Sequence, residues 1–466
     1  MRRGLCAFLL LLTACTAQPS PPPATSAPPS SAETSAPPAP VGMDTGPIDP
    51  AKLAAYDGSA RHSANLTLVA SLARRAPFDT EAALGTDLAF TGDYAIAGNY
   101  DGFTVYDIAD PSRPAIASQV YCPGPQNDVT VNGNLLFLSV DEAVEGPSCQ
   151  SKVTPDAAWE GVRIFDLTDK RSPRYVGAVA VPCGSHTATL VPGPTPDAVY
   201  LYAQSAPGRA ATPECEKHRG RIALLKIPMA HPEQAALVAS PVVLPDGGTP
   251  LKQLSYGGCH DITVFAARKL AAAACIGDGL LLDIADPAHP KVLDRIQDPR
   301  HFGYWHSAVF NAAGTRVVFS DEFGGGLSIV CDPKAGPGFG GNGVYDVDGG
   351  KLRLRGYFKI PRAELAPKTC SAHNGALLPA QGRDLMTQGW YEGGVSVIDF
   401  TDPEHAKEIA YFERGHADAE VGGSWAAYFY RGFIYSSDMY KGFDVLKLSG
   451  VPVSEPPITQ LNPQTQ

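Results

Sequence analysis

One short strand-and-turn unit recurs along this chain, and a recurring unit restricts the possible folds more than any overall composition does. It reads Gly102-Phe-Thr-Val-Tyr-Asp107-Ile-Ala-Asp110-Pro111, Gly161-Val-Arg-Ile-Phe-Asp166-Leu-Thr-Asp169 and Gly394-Val-Ser-Val-Ile-Asp399-Phe-Thr-Asp402-Pro403, with a fourth copy at Leu280-Leu-Leu-Asp283-Ile-Ala-Asp286-Pro287. Aromatic and β-branched residues make each copy a strand. The aspartates can accept backbone N–H groups in the turn that follows, and Pro presets its φ, so these carboxylates belong to turn chemistry rather than catalysis.

A further strand follows each turn, at Ala115 to Tyr121, Arg174 to Val181, Lys291 to Ile296, Leu352 to Ile360 and Lys407 to Phe412. Two more precede each copy, joined by hairpin signals such as Asn132-Gly133. Four strands in a repeat of several tens of residues make a propeller blade. First strands start near Thr86, Asn127, His186, His260, His306, His373 and Trp425. The last repeat, Ser424 to Leu448, holds only three strands, and Asn65 to Leu72 resembles the missing fourth. The expected fold is therefore all-β: a seven-bladed β-propeller of four-stranded blades over residues 61–450. Its last blade would be closed by the N-terminal strand, which removes two exposed edges at once.

The copies ending in Asp-Pro resemble the LVIVD repeat of secreted, propeller-like bacterial proteins. The copies at Gly326 and Gly442 depart from it, with Cys331 and Lys447 where Asp is expected. The resemblance implies the fold and an exported location. It leaves activity open, because propellers host many unrelated functions.

The ends of the chain agree with export. Arg2 and Arg3 precede an apolar run from Leu5 to Leu12 and then Leu12-Thr13-Ala14-Cys15, the layout of a signal peptide closing on a lipobox. Residues 1–15 are thus expected to direct export, and Cys15 to carry lipid that anchors the protein to a bacterial membrane. Residues 16–60 are rich in Pro, Ser and Ala, with too little apolar surface to fold, and read as a disordered tether. Residues 451–466 read as a flexible tail. A net charge of −11 without a basic stripe argues against nucleic acid. In an oxidising compartment the cysteines of the body are expected to pair with sequence neighbours: Cys122–Cys149, Cys183–Cys215, Cys259–Cys275 and Cys331–Cys370.

Four first strands carry histidine at one repeat position: His186, His260, His306 and His373. The first strand of a propeller blade is innermost, so these imidazoles are expected around one mouth of a central channel. Second strands return to the same mouth and bring Asp141 and Glu322 as the carboxylates closest to them. Neutral imidazole suits copper, zinc or iron, and carboxylates ligate or orient it. Propellers of the selenium-binding, methanethiol-oxidase type are similar in using channel histidines for copper, a likeness at the level of fold. Neither a Gly-x-Ser-x-Gly elbow nor a phosphate-binding Gly-Lys-Ser/Thr loop occurs. Two functions follow: a membrane-anchored binding module for an extracellular protein or glycan with a histidine-lined channel mouth, or a metal-dependent oxidoreductase or hydrolase.

Overall fold

The computed structural model describes residues 61–154, 157–204, 215, 217–249, 258–324, 326, 339–362, 369–414, 422–454 and 458–466. The expected signal peptide, Cys15, the tether and Cys331 lie outside the described residues.

The strands group into antiparallel quartets that follow chain order. Gly85–Thr91, Tyr94–Asn99, Gly102–Asp107 and Ala115–Tyr121 form one. Others begin at Gln126–Asn132, Thr187–Pro192, Ile262–Phe265, Trp305–Phe310 and Asn374–Ala380. Burial grades across each quartet. Ile262–Phe265 and Trp305–Phe310 are buried at every position, whereas Ala115–Tyr121 is exposed at both ends and half-buried between. First strands are therefore inner and fourth strands outer.

Local chemistry stops the third strand where expected. Asp107, Asp166, Asp283 and Asp399 each accept the backbone N–H two residues on, at 2.8–3.0 Å. Each turn thereby satisfies its own polar backbone and sends the outer strand back.

One quartet is not contiguous. Ser424–Tyr430, Phe433–Asp438 and Gly442–Leu448 take their fourth member from the other end of the chain, with Leu66–Leu72 antiparallel to the last of them. Leu66 faces Leu448 and Leu72 faces Phe443. Neighbouring quartets meet at their first strands, and Ser424–Tyr430 meets Gly85–Thr91. Threonine hydroxyls stitch them. Thr130 Oγ1 donates to Ala188 O at 2.6 Å, Thr189 to Ile262 O at 2.6 Å and Thr263 to Ala308 O at 2.7 Å. Between these layers the core is aromatic and aliphatic, with Tyr106 stacked on Phe443 at 4.3 Å.

Disulfides join Cys122–Cys149, Cys183–Cys215 and Cys259–Cys275, and Cys370 is also disulfide-bonded. They are compatible with an extracellular location. Among the described residues no helix is long and apolar enough to cross a membrane.

One expectation needs correcting. Residues 458–466 are not a loose tail: Gln460–Leu461 pairs with Phe90 and Thr91, and Asn462 and Gln464 are buried. The segment carries little apolar surface, but its amides meet backbone groups that only the assembled inner strands present.

Candidate metal centre

His186 and His260 lie just before the first strands Thr187–Pro192 and Ile262–Phe265, His306 lies within Trp305–Phe310, and His373 precedes Asn374–Ala380. Neighbouring first strands touch, so this shared position becomes an arc. Successive ring centroids are 4.4 Å apart from His186 to His260, 4.2 Å from His260 to His306 and 4.3 Å from His306 to His373. All four imidazoles are buried.

Their nitrogens are unequally committed. His186 Nδ1 lies 2.8 Å from Asp141 Oδ2, His260 Nδ1 lies 3.0 Å from Asp261 Oδ1, and His373 Nδ1 lies 2.6 Å from the Trp425 carbonyl oxygen. In a neutral ring each acceptor favours the proton on Nδ1 and leaves the Nε2 lone pair free. His306 differs. Its Nδ1 is buried without a hydrogen-bond partner, and its Nε2 stands 3.6 Å from Glu322 Oε2. His373 Nε2 stands 3.8 Å from Glu322 Oε1, and the Tyr391 hydroxyl donates a short hydrogen bond to that same oxygen.

The sequence led to an expectation of four histidines around one point with Asp141 and Glu322 beside them. In the structure the donor atoms instead fall into two triads, His260–Asp261–His306 and His306–Glu322–His373, each with its atoms within 4.8 Å of one another. Glu322 is a member, while His186 is in neither. Asp141 is in neither triad: its Oδ2 holds His186 through Nδ1, and its Oδ1 is buried without a hydrogen-bond partner. Donor atoms on one tetrahedral zinc stand about 3.4 Å apart at the usual bond length, so the donors of either triad would have to close by up to about 1.4 Å.

Electrostatics separates the rings further. Burial pushes His373 down to about 3, and burial with the neighbouring imidazoles His260 and His373 holds His306 well below its ordinary value. His260 is lowered by burial and by His186. Burial also pulls on His186, but the charge and hydrogen bond of Asp141 outweigh it and lift that ring to about 9. Burial drives the Glu322 carboxyl up to about 8, with Tyr391 opposing. The central rings are thus neutral donors at physiological pH.

These groups line a cavity of about 300 Å³. Tyr100, Tyr304 and Tyr391 lie around it, Leu84, Trp425 and Met439 add apolar wall, and Asp128 adds a carboxylate. Among the described lining residues there is neither Lys nor Arg. Sequence reasoning missed Asp261, Asp128 and the tyrosines. A signal existed for the acids: Asp87, Asp128 and Asp261 each follow the residue at the histidine position of their repeat.

Quartets of graded burial, joined through their inner strands, make this an all-β protein of propeller type. No protein-family model matches the chain, and no curated protein matches it. Among solved structures it is similar to the β-propeller domain of Cps50 (Swd1) from Myceliophteria thermophila, at 12% identity over 82% of this chain and 100% of that one, TM-score 0.51. It is also similar to Raptor from Chaetomium thermophilum, at 10% identity over 83% of this chain, TM-score 0.52, and spans 30% of Raptor's length. Both likenesses concern the fold.

Proposed function

We propose that this chain is an exported, lipid-anchored, seven-bladed propeller of the LVIVD-repeat kind, and that its central channel carries a transition-metal centre acting on a small uncharged molecule. The closed ring is supported by the contact of Ser424–Tyr430 with Gly85–Thr91 and by the pairing of Leu66–Leu72 with Gly442–Leu448. Export is supported by the disulfides and by the lipobox at Cys15.

One observation carries the metal reading. His306 is buried, its Nδ1 lacks a hydrogen-bond partner, and it sits between two rings whose Nδ1 atoms are already committed. An unpartnered buried polar atom is costly, and because no hydrogen bond holds this ring through Nδ1, His306 is free to turn a nitrogen toward a cation shared with His373 and Glu322. His306, His373 and Glu322 match the two-histidine, one-carboxylate donor set that leaves coordination positions open, and the wider histidine arc also suits copper or zinc. A metal bound there would supply Lewis-acid or redox chemistry. The chain's own part is to aim the rings through Asp141, Asp261 and the Trp425 carbonyl, and to hold Glu322 through Tyr391.

The lining selects the substrate class. Burial holds Glu322 and Asp128 toward their neutral forms, His186 is paired with Asp141, and neither lysine nor arginine stands among the described lining residues. The cavity therefore suits an uncharged molecule whose apolar part Leu84, Trp425 and Met439 accept. Dialysis against Cu(II), Zn(II) or Fe(II) followed by elemental analysis tests the reading. The wild type is expected to retain near-stoichiometric metal and His306→Ala to lose it, with the melting temperature of the metal-free protein unchanged. A wild type that retains no metal, beside a His306→Ala variant that melts lower, would make the histidines structural. The surface module for a protein or glycan would then take this reading's place.

A further inference from the structure

The segment after residue 457 alternates amide side chains, Gln460, Asn462, Gln464 and Gln466. Each amide has a built partner. Gln460 Oε1 accepts from Gly133 N at 2.7 Å. Asn462 takes Val131 N at 2.7 Å and donates to Val131 O at 2.8 Å. Gln466 does the same with Phe310, at 2.8 and 3.2 Å. Between them, Thr465 Oγ1 donates to Leu190 O at 2.8 Å, and the backbone of Gln464 and Gln466 brackets Val264 at 2.8 Å on each side. The segment therefore crosses the inner strands of successive quartets at a constant depth. Leu190, Val264 and Phe310 each lie four residues beyond His186, His260 and His306, about 13 Å along a strand.

Gln464 departs from the pattern because its side chain turns toward the histidines. Its Nε2 donates to Asp261 Oδ2 at 2.8 Å, while its Oε1 lies 2.6 Å from Thr263 Oγ1. The other oxygen of Asp261 receives His260 Nδ1. Gln464, Asp261, Thr263 and His260 are all buried.

We propose that residues 460–466 are a strap that spans the far end of the channel and that Gln464, acting through Asp261, is a positioning residue for the metal ligand His260. This rests on the metal reading above. The strap restrains the carboxylate from below, the carboxylate fixes the imidazole's tautomer and angle, and Nε2 is left aimed at the metal. Partners of this kind change metal affinity by about 10–100-fold when removed.

The test uses the full chain, Cu(II) as the probe, competition titration for affinity and the paramagnetic resonance spectrum of the bound ion. Gln464→Met keeps the side-chain volume and removes the hydrogen bond to Asp261 and the polar contact with Thr263. It is expected to weaken Cu(II) binding about 10–100-fold and to shift the spectrum. Gln466→Met, which loosens the strap at Phe310 without touching Asp261, should lower the melting temperature and leave affinity and spectrum unchanged. In a His260→Ala background Gln464→Met should have no further effect on affinity, since the pair is coupled only through that ring. Gln464→Glu, which sets a second carboxyl against Asp261, should repeat the loss if the Met variant fails to fold. Equal losses from Gln464→Met and Gln466→Met, or the same loss with and without His260, would make Gln464 merely structural and overturn the inference while the metal centre stands. A wild type that binds no Cu(II), Zn(II) or Fe(II) overturns both.

Discussion

Gly161 begins the recurring motif within the strand Trp159–Asp166 at φ +152°, and a Cβ there would stand 2.1 Å from the Val179 carbonyl oxygen of the outer strand. The repeat begins with glycine because the outer strand passes too close for any side chain. Gly161→Ala should therefore lower the stability of the body by about 3 kcal/mol, the upper range for a strained backbone position. Denaturant unfolding measures it, and a loss within the ordinary scatter of surface substitutions would refute the steric account. Asp444 makes a second prediction at this scale. Burial pushes its carboxyl up to about 6, with Arg414 and Lys441 opposing and Asp438 adding to the rise. A carboxyl raised in the folded state binds more protons folded than unfolded, so stability is greatest below pH 4, falls between about 4 and 6 and is flat above. At about 1.4 kcal/mol for each pH unit the wild type loses roughly 3 kcal/mol across that window relative to Asp444→Asn. Melts of both proteins at pH 4 to 7 read the difference directly. A difference that is constant, or that moves the other way, would mean the carboxylate is already ionised at pH 4.

At the scale of the element, Leu66–Leu72 matters most. It supplies the fourth strand to a quartet nearly four hundred residues away in sequence. Gly442 shows that it fills the ordinary outer-strand place: a Cβ at Gly442 would stand 2.2 Å from the Leu72 carbonyl oxygen, the relation Gly161 has to Val179. Deleting residues 61–73 exposes the edge of Gly442–Leu448 and uncovers Leu446 and Leu448, which are now buried. The truncated body should melt well below the full chain in a scan followed by circular dichroism. Identical melting would mean that the two ends of the chain do not depend on each other. The existence of this strand was legible from its likeness to the other outer strands. Its two-residue neighbour Arg61–His62, which extends the adjoining quartet on Lys407–Glu413, was not, because two residues carry no period.

For the whole molecule, the strand-turn copies and the register of the four histidines could be read directly from the chain. Turn chemistry is local: an aspartate finds its N–H donor two residues on, whatever the rest of the chain does. Duplication of one unit carries equal positions to equal places on neighbouring inner strands, which is why His186, His260, His306 and His373 lie side by side. Spacing alone could not assign their roles. Asp141 turned out to hold an imidazole, Asp261 joined a triad unforeseen, and Tyr391 reached Glu322 from another quartet. Each of those contacts depends on side-chain direction across strands far apart in sequence. The strap is the extreme case. By composition residues 458–466 have only Ile458, Leu461 and Pro463 to bury, and a segment this polar gains little from leaving water on its own. Only when the inner strands are assembled do Val131, Phe310 and Asp261 stand in a row with unmet hydrogen-bonding groups, and it is that row, present in no single stretch of the chain, that orders the last amides.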